Sequence, residues 1–158
     1  MARADYSGVP YTAQNYDAVE KEGGGWELGC WFGPKEELKK KNPLINLPYI
    51  QDGDVVVTQS NACIVYLADK CGLMGKTAQE RIECEQCLCE CTDLRNEMVR
   101  NFYGSACEPA MLAALLKHGS LAKLDAWLEA KGTTFLIGDE PMAPDFHLAE
   151  LLDQVRNE

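Results

Sequence analysis

The hydrophobic and polar positions change rhythm near the middle of the chain. In the first half, short apolar runs alternate with turn residues. Residues 47–50 and 55–58 read as two strands, with Gln51-Asp52-Gly53-Asp54 between them. An Asp-Gly pair between β-branched or aromatic runs predicts a hairpin, because Gly accepts the positive φ such turns need. A weaker strand is expected over residues 9–12. Gly23-Gly24-Gly25 and Gly33-Pro34 mark loops, with a short polar helix over residues 34–41. Ser60 is placed to cap a helix whose apolar side carries Cys63, Ile64, Tyr66, Leu67 and Ala68 and which Gly72 can end.

The second half reads as helix throughout. Thr77-Ala-Gln-Glu80 has the form of a capping box. Behind it Cys84, Cys87, Leu88, Cys91, Leu94, Met98 and Phe102 recur at steps of three and four, one face of a long helix reaching about Tyr103. Pro109 suits a further helix start. Ser120 can cap another helix, with Leu121, Leu124, Trp127 and Leu128 inside and Gly132 behind it. Pro144-Asp145 opens a last helix. The boundary between the halves falls at residues 73–77, giving expected domains of 1–75 and 76–158.

Composition narrows the function classes. The 158 residues are 46% hydrophobic and 25% charged, enough apolar material for a core. The net charge of −10 argues against phosphate-backbone binding, so no nucleic-acid partner is expected. No apolar run approaches the ~20 residues of a membrane span, and the start has no apolar signal core. A cytoplasmic location is expected, and the eight cysteines then read as reduced thiols. Cys84, Cys87 and Cys91 fall on the apolar helix face, where Cys packs as a small hydrophobe. A structural zinc site wants four converging ligands; no second pair stands out, and His118 and His147 are isolated. No metal is expected, Cys89 is expected off the buried stripe, and His147 reads as a packed or capping residue.

Asn46-Leu47-Pro48-Tyr49, the Asp52-Gly53 turn, Thr58-Gln59-Ser60-Asn61-Ala62 and Tyr66-Leu67-Ala68 together resemble the cytosolic glutathione S-transferases. Asp93 and residues 135–146 extend the resemblance into the helical half. Thr-Gln-Ser-Asn-Ala, Asp93-Leu-Arg95 and Tyr103 make it mu-like, with sigma-like relatives as the alternative. The resemblance implies an α/β plus all-α chain: an incomplete thioredoxin-like N-terminal domain, then a transferase-type helical domain. It also implies that the chain begins after the family's first strand and helix, where the thiol-activating residue resides, and stops before the C-terminal tail. Tyr6 and Tyr11 are not candidates for that role merely because they come early.

The resemblance implies a glutathione site. Leu47, between Asn46 and Pro48, holds the cysteinyl part. A cis Pro48 would turn the chain sharply and leave Leu47 free to pair with an extended peptide, strand to strand. Gln59 and Ser60 hold the γ-glutamyl part, where a helix N-terminus suits a carboxylate. Trp31 and Lys35 hold the glycyl end. Their alternatives are a packing aromatic and a solvated charge, with Lys39 able to take the lysine's role. Asp93 reaches the γ-glutamyl amine from a neighbouring subunit, or is a solvated helix residue. Tyr103 donates to the electrophile as a general acid, or is a packed ring with a wet hydroxyl. A homodimer is expected, although Leu44 stands where mu relatives insert a bulky aromatic into the partner.

The implied function is conjugation of the glutathione thiolate to a hydrophobic electrophile. Glutathione is the co-substrate and no other cofactor is needed. The alternatives are a non-catalytic binding protein of the same fold or an inactive fragment, and, more remotely, a thiol-based metal or redox sensor.

Overall fold

The computed structural model describes residues 2–104 and 119–156, with side chains described over 5–100 and 119–154. The elements in chain order are α1 (Ala2–Ser7), β1 (Val19–Glu20), β2 (Trp26–Glu27), α2 (Gly29–Lys41), β3 (Tyr49–Asp52), β4 (Val55–Thr58), α3 (Ser60–Lys70), α4 (Ala78–Gly104), α5 (Ser120–Lys131) and α6 (Ala143–Arg156). Two antiparallel pairs form, β1 with β2 and β3 with β4. The β3–β4 register runs from Tyr49 opposite Thr58 to Asp52 opposite Val55, closed by Gly53-Asp54 with Gly53 at φ +58°. The expected hairpin is therefore present, but its first strand starts at Tyr49 and not at Leu47. Pro48 has no N–H to give, and its bond to Leu47 is cis, which turns the chain out of line with the strand.

Three other expectations of the first half are corrected. Residues 9–12 form no strand: a cavity separates them from β3, and a strand exists only where a partner takes its hydrogen bonds. Gly33-Pro34 does not mark a loop; α2 runs through both. Its first turn is set before the proline, with the Trp31 and Phe32 amides donating to Leu28 O. Pro34 leaves the Cys30 carbonyl without its intrahelical donor, and Cys30 is exposed, where solvent can serve it. Lys39, Lys40 and Lys41 in the last turn complement the helix dipole. Ser60, finally, is the first helical residue and not the cap. Gln59 takes the cap position at φ +75°, with no side-chain hydrogen bond closing the turn.

The helical half follows its pattern closely. Thr77 Oγ1 accepts from Glu80 N at 3.1 Å, and Glu80 Oε2 accepts from Thr77 N at 2.9 Å and Lys76 N at 2.6 Å, which closes the capping box ahead of α4. Cys84, Cys87, Leu88, Cys91, Leu94 and Met98 are buried along one face of α4, against α5 and α6. Burial pushes the Cys84 thiol up to about 11 and Cys87 to about 12. The packing role of the three stripe cysteines is thus observed, and Cys89 is exposed as expected. Gly132 ends α5 in the left-handed conformation at φ +63°. Ser120 does not cap that helix: Gly119 holds the position, with no side-chain cap hydrogen bond. The helix expected from Pro109, His118 and the Tyr103 side chain lie outside the described residues.

Asp145 fixes the entry to α6, which begins two residues earlier, at Ala143. Its carboxylate accepts from Leu136 N at 2.8 Å and Met142 N at 2.9 Å. Burial raises its pKa, although those two bonds favour the charged form. The core crosses residue 75. Ala68, Leu73 and Met74 join the α4 stripe, Leu124, Leu136, Ile137 and Leu151 in one cluster, and Ala143 N donates to Leu73 O at 2.9 Å. No described helix is long and apolar enough to cross a membrane.

Candidate functional site

The site grows out of the join between β4 and α3. Thr58 ends β4 and is buried, 5% exposed. Its Oγ1 accepts from Asn46 N at 3.1 Å, lies 2.8 Å from Asn46 O, its acceptor, and has Pro48 O at 3.3 Å. This brings the Asn46-Leu47-Pro48 turn beside the Gln59-Ser60 helix start. Behind the turn, Cys63 Sγ lies 3.7 Å from Pro48 O and 3.5 Å from Val57 O. Burial raises its pKa, which favours the packed thiol form.

Leu47 itself is 44% exposed, and among the described residues its N–H and C=O make no hydrogen bond. An unpaired donor and acceptor on one exposed residue can pair with an extended peptide. Gln59 is exposed and Ser60 half-buried at the N-terminus of an eleven-residue helix, where the first amides point out of the helix. Peptide pairing and anion binding are thereby available side by side.

Asp93 is exposed on α4. Its neighbour Thr92 ties α4 to the start of α3, with Thr92 Oγ1 2.9 Å from Asn61 Oδ1 and 2.9 Å from Leu88 O. Trp31 and Lys35 stand in another group. The Trp31 ring, 7% exposed, stacks on Tyr49 at 6.0 Å and meets Tyr16 edge-on at 5.1 Å. Lys35 Nζ lies 5.6 Å from the Trp31 centroid and 5.8 Å from that of Phe32. Lys39 bonds Glu36 at 2.6 Å on the exposed side of α2. Leu44 is 73% exposed.

Sequence reasoning assigned no structural role to three residues that shape this region. Tyr16 and Tyr49 bring their hydroxyls within 2.8 Å, and burial, then that bond, pushes Tyr49 up to about 12. Thr58 carries the join. Tyr16 gives no local signal; Thr58 enters as part of the Thr-Gln-Ser-Asn-Ala element, which does not itself show what its hydroxyl bonds. A cavity of about 850 Å³ runs along the outer edge of β3, walled by residues 10–14 and 47–52, with Tyr66, Leu67 and Lys70 from α3. Leu47 and Pro48 open onto it; Gln59, Ser60 and Asp93 do not line it. Asp52 pairs with Lys70 and accepts from Tyr66 at 2.7 Å, and these bonds hold its carboxyl below the usual range. Among the described residues no group of histidine, cysteine and acidic side chains is placed to hold a metal ion.

A cis-proline turn beside a helix N-terminus, backed by the three described helices α4, α5 and α6, has the form of a thioredoxin-like domain joined to a transferase-type helical domain. The model of the glutathione S-transferase N-terminal domain matches residues 28–69. Glutathione S-transferase 2 of Gallus gallus is 33% identical over 155 residues, covering 96% of this chain and 67% of its own. The class-mu 26 kDa isozyme of Schistosoma mansoni is 35% identical over 130 residues, covering 82% and 58%. The crystal structure of a diazinon-metabolizing glutathione S-transferase from the silkworm Bombyx mori superposes with a TM-score of 0.68 at 19% identity, covering 99% of this chain and 74% of that one, and shows the shared fold. The chain belongs to the glutathione S-transferase family, a family of transferases whose co-substrate is glutathione, and its relatives include mu-class members. It spans 58% to 67% of the length of those two relatives.

Proposed function

We propose that this chain binds glutathione as an extended peptide on Leu47. In this reading Gln59 and Ser60 receive the γ-glutamyl carboxylate and Asp93 its amine, across a homodimer in the cytoplasm. Trp31 and Lys35 are assigned to the glycyl end, with Lys35 supplying the charge and Trp31 supporting it from within the aromatic cluster. Asn46 and Pro48 frame Leu47, and Tyr103 serves the electrophile. The observation that carries the reading is the N–H and C=O of Leu47, unpaired among the described residues, beside an α3 start that has no side-chain cap bond.

The reaction is attack of the glutathione thiolate on an electrophilic carbon; with an aryl halide the new C–S bond replaces the carbon–halogen bond and halide leaves. Binding assists by favouring the thiolate and aligning it. Ser60→Ala should weaken retention on immobilised glutathione about three- to tenfold while leaving the thermal midpoint nearly unchanged, since Ser60 does not cap its helix. Unchanged retention by a folded variant would refute the assignment.

A second reading, glutathione binding with little turnover, has its own support. The three described tyrosines that line the cavity have committed hydroxyls: Tyr11 donates to Asp5 at 3.0 Å, Tyr66 donates to Asp52 at 2.7 Å, and Tyr49 shares a 2.8 Å bond with Tyr16; the first two pKa values are raised chiefly by those bonds and that of Tyr49 chiefly by burial. Conjugation assayed beside retention separates the two: retention without turnover favours this one.

A further inference from the structure

We infer that Thr58 is a positioning residue of the glutathione site: its hydroxyl fixes Asn46, lies beside the carbonyl of Pro48, and so holds the turn that keeps Leu47's own N–H and C=O open for the ligand. This rests on the reading that Leu47 receives glutathione.

A threonine hydroxyl has one proton and two lone pairs. Here one lone pair takes the Asn46 amide at 3.1 Å, the proton goes to Asn46 O at 2.8 Å, and Pro48 O lies close by at 3.3 Å. Asn46, which precedes Leu47, is therefore held through both its N–H and its C=O by one buried side chain, and Pro48 O, after Leu47, sits beside the same hydroxyl. Leu47, between them, is exposed, and among the described residues its backbone makes no hydrogen bond. The same residue is the last rung of the hairpin, opposite Tyr49, and the next residue along is Gln59. Gln59 is the only described non-glycine residue at positive φ, and it turns the chain into Ser60. One hydroxyl thus sets the spacing between the peptide edge and the helix start. No side-chain cap on α3 offers a substitute. A misplacement of about 1 Å between binding groups is enough to lose much of a bound state's alignment.

Thr58→Val keeps the side chain's shape and removes the hydroxyl; Thr58→Ser keeps the hydroxyl and removes the methyl. Calorimetric titration of the full chain with glutathione should give a Kd raised about tenfold for Thr58→Val and within about twofold of the parent for Thr58→Ser. A folded Thr58→Val with the parent's Kd, or equal weakening by both variants, overturns the inference. Hydrogen exchange on the unsubstituted chain tests it even if Thr58→Val fails to fold. The Asn46 amide should be protected without glutathione, and the Leu47 amide only with it. A freely exchanging Asn46, or a Leu47 already protected, counts against it.

Ser60→Ala runs beside these variants. If Ser60→Ala weakens binding and Thr58→Val does not, Thr58 alone loses its role. If Ser60→Ala binds as the parent does, or the parent binds no glutathione, the reading of the site falls and the inference with it.

Discussion

The two halves of the molecule bury their side chains in opposite ways. After residue 76, a continuous apolar stripe on α4 is covered by α5 and α6, and Ile82 and Leu152 are the only large described hydrophobics left exposed. Before it, Tyr6, Tyr11, Val19, Trp26, Leu28, Phe32, Leu44, Leu47 and Val55 all stand exposed. Each strand pair has only two members there, and two strands alone are marginal in water. The sheet half is steadied instead by single polar side chains. Thr58 holds the cis-proline turn, Asn42 Nδ2 donates to Val56 O at 2.9 Å, and the Asp52–Lys70–Tyr66 group ties the hairpin end to α3. One half is held by packing, the other by directed bonds, and the candidate site belongs to the second.

The harshest test of that contrast is Leu94→Ala, which empties a position 1% exposed at the centre of the stripe. The expected loss is about 2–5 kcal/mol. Because Ala68, Leu73 and Met74 share the core, the amides of β3 and β4 should lose hydrogen-exchange protection in step with those of α4. Sheet amides that keep their protection would show that the halves are independent.

Asp145→Ala should cost less, about 2–3 kcal/mol, since hydrogen bonds to a charged group contribute about 1.5–3 kcal/mol and the buried Leu136 and Met142 amides would lose their acceptor. It asks whether the packed half also depends on one directed contact; a urea midpoint within error of the parent's would say that packing alone suffices.

The smallest effect sets Asp145 against Asp69. Asp69 is held below the usual carboxylate range by its two bonds to Arg81, at 2.6 and 2.9 Å, which join α3 to α4. Its folded pKa lies below the unfolded one, so its contribution is present above the ordinary carboxylate range and is lost as pH falls through the lowered value. For Asp145 the folded pKa is raised, so its ionisation costs stability as pH climbs from the ordinary range through the raised value. Asp69→Asn should remove part of the acid dependence while costing about 0.2–1 kcal/mol at neutral pH, the usual range for a largely exposed pair. A stability-against-pH curve identical to the parent's would dismiss the junction pair.

Legibility in the sequence followed the same division. The α4 stripe, the capping box and Gly132 could be read because periodicity and local capping act within a few residues. The Asp52-Gly53 turn was readable for the same reason. What escaped depends on partners distant in sequence. Residues 9–12 have strand composition and no strand to pair with. Gly33-Pro34 has the composition of a break, yet Trp31, packed between Tyr16 and Tyr49, anchors the helix that runs through it. Ser60 and Ser120 have cap chemistry but sit one position inside their helices, since Gln59 and Gly119, both at positive φ, already make the turns. Leu47, Gln59 and Ser60 are proposed through a resemblance; the hydroxyl beside them acts across twelve residues and leaves no local pattern.

The cysteine stripe of α4 has a chemical consequence as well as a packing one. Cys84 and Cys87, with thiols pushed up to about 11 and about 12, present almost no thiolate at neutral pH and no surface to a reagent. Cys30 and Cys89, exposed, are open to alkylation at once. The rate at which iodoacetamide labels the stripe is therefore a clock for the opening of the core, built from the chain's own residues and read by mass without any added probe.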